Sequence, residues 1–258
     1  MKKIIASITM LAAGAALAST VTSAQTFGVL KVTSTTAETA ICVPWVAAGT
    51  GTDIKVKDFV KTTDLYIGDE LYLYDADEQE FVAWQLTEDR TTTPWTTNWT
   101  GTATISALGD VADPGTDNTT IGRGSALILK RQHPETGAFY LYGQYTETEF
   151  TSVTMAADTS EEKVTLFALP NTTGTAIDLN RSDWTWSKVV RSTAITTGDT
   201  IRLQKANGTA IYLAYNGTNW VSVSDLATTT NAVIQPGMGA WYIAVGKSDR
   251  AAPSWSKN

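Results

Sequence analysis

The sequence predicts an all-β protein made of two degenerate copies of an antiparallel β unit, each sandwich- or barrel-like. Three observations predict this. Short runs rich in Thr, Val, Tyr and Trp recur between Gly, Asn, Asp and Pro, the pattern of strands separated by turns. Helical periodicity is not sustained anywhere; residues 55–61 and 185–190 have room for a helical turn, but neither carries caps or an apolar stripe. Finally, three sequence blocks recur in the same order, the mark of an internal repeat.

Taken from the start, residues 1–24 read as a secretory signal peptide. Lys2 and Lys3 form a positive end, an apolar stretch rich in Ala and Gly follows, and Thr22-Ser23-Ala24 supplies small residues before the expected cut. The mature chain is expected to begin at Gln25. Residues 25–149 form the first β unit, with a Thr- and Gly-rich insertion at 90–120, and residues 150–258 form the second.

The first recurring block pairs Thr39 and its apolar successors up to Pro44 with Thr165 and those up to Pro170. The second aligns Gly68-Asp69-Glu70-Leu71-Tyr72-Leu73 with Gly198-Asp199-Thr200-Ile201-Arg202-Leu203, and runs on without a gap to Phe81 and Ile211. In the third, Ile121-Gly122-Arg123-Gly124 matches Ile234-Gln235-Pro236-Gly237, and a strand-like run follows each. Within the second block, Asn207-Gly208 between two strand-like runs predicts a hairpin with a type I′ turn, because both central residues tolerate positive φ. Asp77-Glu78 is expected at the equivalent tip. The insertion, with Thr91-Thr92-Thr93-Pro94 and Asp113-Pro114-Gly115, reads as an exposed loop.

The order Gly-Asp-x-apolar, a Tyr/Trp-bearing hairpin, then Pro236-Gly237-Met238-Gly239-Ala240-Trp241 is similar to a pattern in uncharacterised exported β-repeat proteins of bacteria. The first copy departs from it, with Arg123-Gly124-Ser125-Ala126 in the place of Pro236-Gly237-Met238-Gly239. The resemblance implies export and repetition, and it carries no catalytic residue across.

Composition narrows the function classes. A formal net charge of -7 repels phosphate backbones, so nucleic acid is not an expected partner. After the signal no apolar run is long enough to cross a bilayer. The expected location is extracytoplasmic: periplasm, cell surface or secreted. The lone cysteine, Cys42, alternates with apolar neighbours and reads as a buried core thiol.

Each candidate for chemistry has a simpler structural role. Asp75, Asp77, Glu78 and Glu80 suggest a calcium loop, yet Glu80 stands where such a loop needs glycine. The matching turn also carries Lys205, so an acidic hairpin tip is expected and no metal. Asp69 and Asp199 suggest the paired acids of a glycoside hydrolase, but Gly-Asp before an apolar run is ordinary turn chemistry. His133, the only histidine, falls in a hairpin loop without a nucleophile elbow. No catalytic residue, cofactor or metal site is therefore expected.

Nine tryptophans leave one binding chemistry open, the stacking of sugar rings on aromatic faces. Trp84 and Trp241 lie in strand-like runs and belong to the core. Trp95 and Trp99 lie in the insertion, where no matching core position is expected to demand them, and are the glycan-binding candidates; Trp184, Trp186 and Trp220 complete the candidate platform. The function expected from the sequence is a non-enzymatic surface or matrix protein working through self-association or adhesion. A glycan-binding module is the alternative, and a secreted carboxylate-based hydrolase the second alternative. The expected partner is a second copy of the chain or a cell-surface glycan.

Overall fold

The structure is a computed structural model that describes residues 27–258 except 36, 44, 46–52, 59–64, 92, 95, 106–110, 117, 145–148, 171–174, 195–196 and 229–231. The expected signal peptide and Trp95 lie outside the described residues. Strands account for 49% of the structure, and the interpretable part holds no α-helix. The fold is therefore all-β. Of the two places with room for a helical turn, one holds a single 3-10 turn at Val56–Asp58 and the other begins in a strand.

The strands of the first half are β1 (Phe27–Thr33), β2 (Glu38–Cys42), β3 (Ile54–Lys55), β4 (Glu70–Asp75), β5 (Glu80–Asp89), β6 (Thr96–Gly101), β7 (Thr104–Ile105), β8 (Val111–Pro114), β9 (Thr120–Ile121), β10 (Ala126–Lys130) and β11 (Ala138–Gln144). Those of the second are β12 (Ser152–Thr154), β13 (Lys163–Phe167), β14 (Ile177–Asp178), β15 (Trp184–Ser187), β16 (Thr200–Gln204), β17 (Ala210–Tyr215), β18 (Trp220–Ser222), β19 (Val233–Ile234), β20 (Ala240–Ala244) and β21 (Ser254–Lys257).

The main sheet of the first half runs β2-β10-β4-β5, with β6 on the far side of β5. That of the second runs β13-β20-β16-β17-β18. The pairing order is the same. Smaller ladders follow suit: β1 with β11 and β12 with β21, then β3 with β9 and β14 with β19.

Among the described residues every ladder stays within its own half, and two isolated bridges cross between halves, Ile41 to Met238 and Ser125 to Phe167. Side chains reinforce the crossing at both outer strands. The Gln79 amide brackets Val164 of β13, with Oε1 accepting the Val164 N–H at 2.8 Å and Nε2 donating to its carbonyl at 3.0 Å. Gln204 does the same to β2, donating to the Glu38 carbonyl at 2.7 Å and accepting the Ala40 N–H at 3.3 Å. Beside them the Cys42 N–H donates to the Gly237 carbonyl at 2.8 Å, and the Gly239 N–H to the Ala40 carbonyl at 2.9 Å.

Alternation along the strands feeds two cores. In β10, Leu127 and Leu129 enter a large cluster drawn from both halves, with Trp84, Phe167, Leu203 and Tyr242 among its members. Ala126 and Ile128, on the other face of the same strand, join Ala40, Cys42 and Tyr72 against Leu166, Ala168 and Trp241 of the second half. Trp84 and Trp241 are both buried, as the strand patterns require. Cys42 is buried too, and its thiol donates to the Leu169 carbonyl at 3.2 Å.

The two long hairpins differ at their tips. β4 and β5 close from the pair Asp75–Glu80, and β16 and β17 from the pair Gln204–Ala210. The register facing Phe81 with Tyr74 faces Ala210 with Gln204, so the gapless match of Phe81 with Ile211 is corrected by one residue. The expected type I′ turn is also corrected. Only Gly208 of the Asn-Gly pair has positive φ (84°), and its N–H donates to the Lys205 carbonyl at 2.8 Å. The Lys205 N–H also donates to the Thr209 carbonyl at 2.9 Å, leaving three residues, 206–208, between them; the one extra residue relative to a two-residue loop makes this a bulged turn, which needs one left-handed residue rather than two. At the acidic tip Asp75 Oδ1 accepts the N–H groups of Asp77 and Glu78 at 2.9 and 3.2 Å.

The 90–120 insertion is not a free loop. β6 pairs with β5 over its whole length, placing Trp99 opposite Leu86, and β8 returns to lie parallel to β5. The Gly115 N–H donates to the Ala83 carbonyl at 3.0 Å, and the Trp84 indole to the Thr116 carbonyl at 3.1 Å. Threonines read as loop residues here are strand residues, because their β-branched side chains suit a pleated edge.

Candidate aromatic cleft

Trp99 does not present a free ring. It is 1% exposed and lies in the large core. Opposed side chains of an antiparallel pair share a face, so Trp99 follows Leu86 inward. In the second half Trp220 stands opposite Tyr215 on β18, at the same place in the pairing order, and is fully buried. The expectation that no core position demands Trp99 is therefore corrected: the fold places a tryptophan there in both halves.

The other sequence candidates are committed to the framework. Asp69 is fully buried and accepts the Tyr66 N–H at 2.9 Å and the Gln132 N–H at 2.7 Å. Asp199 is also fully buried and accepts the Val190 N–H at 2.9 Å and the Val245 N–H at 3.1 Å. Each carboxylate thus ties the entry of its strand to the exit of the strand beside it. Asp199 further accepts the Tyr242 hydroxyl at 2.5 Å and Arg250 Nη2 at 2.6 Å. The preceding glycines serve this corner differently. Gly68 sits at φ 95°, whereas a Cβ on Gly198 would lie 2.6 Å from the Arg191 backbone.

Electrostatics follow the burial. Burial pushes the Asp69 carboxyl up, against the lowering effect of its two amide donors. Burial would also raise Glu70, but the Tyr72 hydroxyl and the Lys130 ammonium outweigh it and hold the carboxyl low. Tyr242 is driven strongly upward by burial and by the charge of Asp199. His133 is exposed, meets Glu135 at 3.0 Å and rests its ring against Tyr66 at 4.5 Å.

The concave aromatic surface lies in the second half. A cleft of about 250 Å³ is lined by Phe150, Leu169, Pro170, Ile177, Arg181 and Trp184, among others. Successive turns build its rim after β14. The Asn180 N–H is held by Asp178 Oδ1 at 2.8 Å, the Arg181 N–H by the Asp178 carbonyl at 3.3 Å, and the Trp184 N–H by the Arg181 carbonyl at 3.4 Å. Asn180 pins the turn to β18 by bonding both the N–H and the carbonyl of Trp220, at 2.7 and 2.9 Å.

Two features give this cleft its chemistry. Arg181 and Asp183 form a two-pronged ion pair, both contacts at 2.6 Å, and the Arg181 side chain holds the Asp183 carboxyl low. Trp184 is the outer member of an aromatic stack that runs back into the core. It meets Trp255 at 5.1 Å; Trp255 stacks on Trp186 at 4.9 Å and 7°, and Trp186 abuts Trp220 at 5.1 Å. The indole N–H of Trp186 donates to the Leu179 carbonyl at 2.8 Å. A half-buried ring held in this way presents a fixed apolar face with polar groups beside it, the usual make-up of a small-molecule site. Sequence reasoning had Trp184 only in a general list and missed Phe150, Arg181 and Asp183. The available signal was the polar turn 180–183 leading directly into the alternating Trp184-Thr185-Trp186.

No protein-family model, curated protein or solved structure matches this chain.

Proposed function

We propose that the protein is a non-enzymatic, exported surface or matrix protein that adheres to glycan through the aromatic cleft of its second half. The observation carrying this reading is the juxtaposition of the Trp184 ring, braced by Trp255, with Arg181, itself held by Asp183, on one cleft of about 250 Å³. A sugar ring offers a face of C–H groups, complementary to the negative face of an indole, and hydroxyl oxygens for a fixed guanidinium. Export rests on the leader at residues 1–24. The shared pairing order of the two main sheets supports descent of residues 25–149 and 150–258 from one duplicated unit.

A glycan array probed with the protein and with Trp184→Ala tests the reading, with circular dichroism confirming that the variant folds. Wild-type protein should retain a defined set of glycans that the variant loses. Absence of any retained glycan, or retention indifferent to Trp184, would refute it.

Self-association is the second reading, and one observation favours it. Val29, Tyr66, Ile67 and Tyr212 are 42% to 58% exposed, a scatter of apolar surface on which copies can meet. Sedimentation at rising concentration, compared between wild type and Ile67→Ser/Tyr212→Ser, tests it. A monomer at all concentrations would dismiss it.

A further inference from the structure

We propose that the pocket between residues 188–191 and 247–251 is an oxyanion site, taking a sulfate or carboxylate group. Lys188, Arg191, Lys247 and Arg250 line it together with Ser248 and Asp249, around a volume of about 270 Å³. This concentration of cations stands out in a chain of net charge -7. Lys188, Arg191 and Lys247 are exposed and hold no ion pair among the described residues.

The floor of the pocket explains why its charge is not cancelled from below. Arg250, with a side chain only 1% exposed, holds the buried Asp199 at 2.6 Å. That pair is neutral as a unit, so among the lining charges three cations stand against Asp249, with the Asp158–Glu161 turn packed beside Gly246 and Lys247. The Arg250 guanidinium also keeps Nε and Nη1 without an acceptor just beneath the surface. Buried donors without partners are costly, and an oxyanion in the pocket that Arg250 lines would offer them an acceptor. Backbone geometry adds a second mark. Lys188 at φ 61° and Asp249 at φ 59° are left-handed residues without glycine's freedom, a strain that tends to gather at functional sites.

The fold does not require these cations. The corresponding corner of the first half, where Asp69 accepts the Gln132 N–H as Asp199 accepts that of Val245, carries exposed Tyr66 and Ile67 and the His133–Glu135 pair instead. One framework thus supports different side chains at the two corners, and the cluster of exposed lysine and arginine belongs to the second half. A planar guanidinium and two ammonium groups suit the spread charge of a sulfate or carboxylate. This site stands apart from the aromatic cleft and does not depend on the glycan reading.

Isothermal titration of the mature protein with inorganic sulfate, dextran sulfate and neutral dextran tests the proposal. Two variants of equal net charge are compared, Lys188→Asn/Arg191→Gln/Lys247→Gln in the pocket and Lys55→Gln/Lys57→Gln/Lys205→Gln elsewhere, and Lys247→Arg serves as a charge-conserving check on folding. Wild type should bind a sulfated probe and ignore neutral dextran. The pocket variant should weaken that binding by about tenfold or more, equivalent to about 1.4 kcal/mol. The control triple and Lys247→Arg should stay close to wild type. Saturable binding of inorganic sulfate would identify a free ion as sufficient, and binding of dextran sulfate alone a group carried on a polymer; either supports the site. Failure of wild type to bind both sulfated probes, or equal losses in the two triples, would overturn it.

Discussion

Asp199 receives two amide N–H groups, a phenol and a guanidinium inside a dry corner, and its removal strands Arg250 without a counter-charge. Asp199→Ala should therefore cost roughly 3–5 kcal/mol of stability, the range for breaking one side of a buried pair, read from urea midpoints at constant slope. The neighbouring acids of the first half titrate in opposite senses. Glu70 has a lowered carboxyl, so its contribution is full above its unfolded value and is lost as pH falls through the folded one. Asp69 has a raised carboxyl, so its contribution is full below its unfolded value and is lost as pH rises through the folded one. Glu70→Gln should accordingly flatten the loss of stability on acidification, and urea melts between about pH 3 and pH 7 check the sign. Trp99→Ala should cost about 3–5 kcal/mol, as much as Trp220→Ala; a small effect would mean that β6 does not belong to the core. The burial of Trp84 and Trp241 was legible because their neighbours alternate along the chain. The burial of Trp99 was not, because what fixes it is Leu86 across a strand pair, and a single chain does not display its cross-strand partners.

Among the elements, the hairpins were legible from turn residues flanked by alternating runs, while their closing geometry was not. Asn-Gly suits several turns, and the choice at Asn207-Gly208 depends on a register that places Gln204 opposite Ala210. Gly208 alone adopts positive φ there, so Gly208→Ala should destabilise by about 1 kcal/mol, whereas Asn207→Ala should cost less; thermal melts of the two variants compare them. The clamps from Gln79 and Gln204 were equally hidden, since each reaches across some 85 or 166 residues of sequence. Each bracketed amide should contribute about 1 kcal/mol per bond made. The clamps sit on different outer strands, so Gln79→Ala and Gln204→Ala should add to within about 0.5 kcal/mol in urea titrations of the single and double variants. The aromatic cleft shows the same limit. Trp184 was visible, but Arg181 meets it because Asn180 fastens their turn to β18, and Phe150 reaches the same cleft from more than 30 residues away in the chain.

At the scale of the molecule, one apolar cluster draws on both halves, so neither half closes its own core. Unfolding should be a single cooperative transition, with calorimetric and van't Hoff enthalpies in agreement; two resolved transitions would show that the halves are independent. All-β character was readable from the sequence, because the alternation of strands and the residues of turns are local properties. The meeting of the halves was not, because it rests on main-chain bonds at Ala40, Cys42, Gly237 and Gly239 that no side-chain pattern advertises. Those bonds bear on how the protein avoids sticking to extended chains. β2 and β13 are the outermost strands of the two main sheets on the same side of the pairing order, and a bare outer strand is a template on which a foreign strand can grow. Here the backbone groups facing outward are answered by the opposite half: the N–H of Cys42 and the carbonyl of Ala40 by Gly237 and Gly239, and those of Val164 by the Gln79 amide. Each half caps the other's template, so any lateral growth into fibres would have to start from another border, such as β18, or wait until the halves come apart.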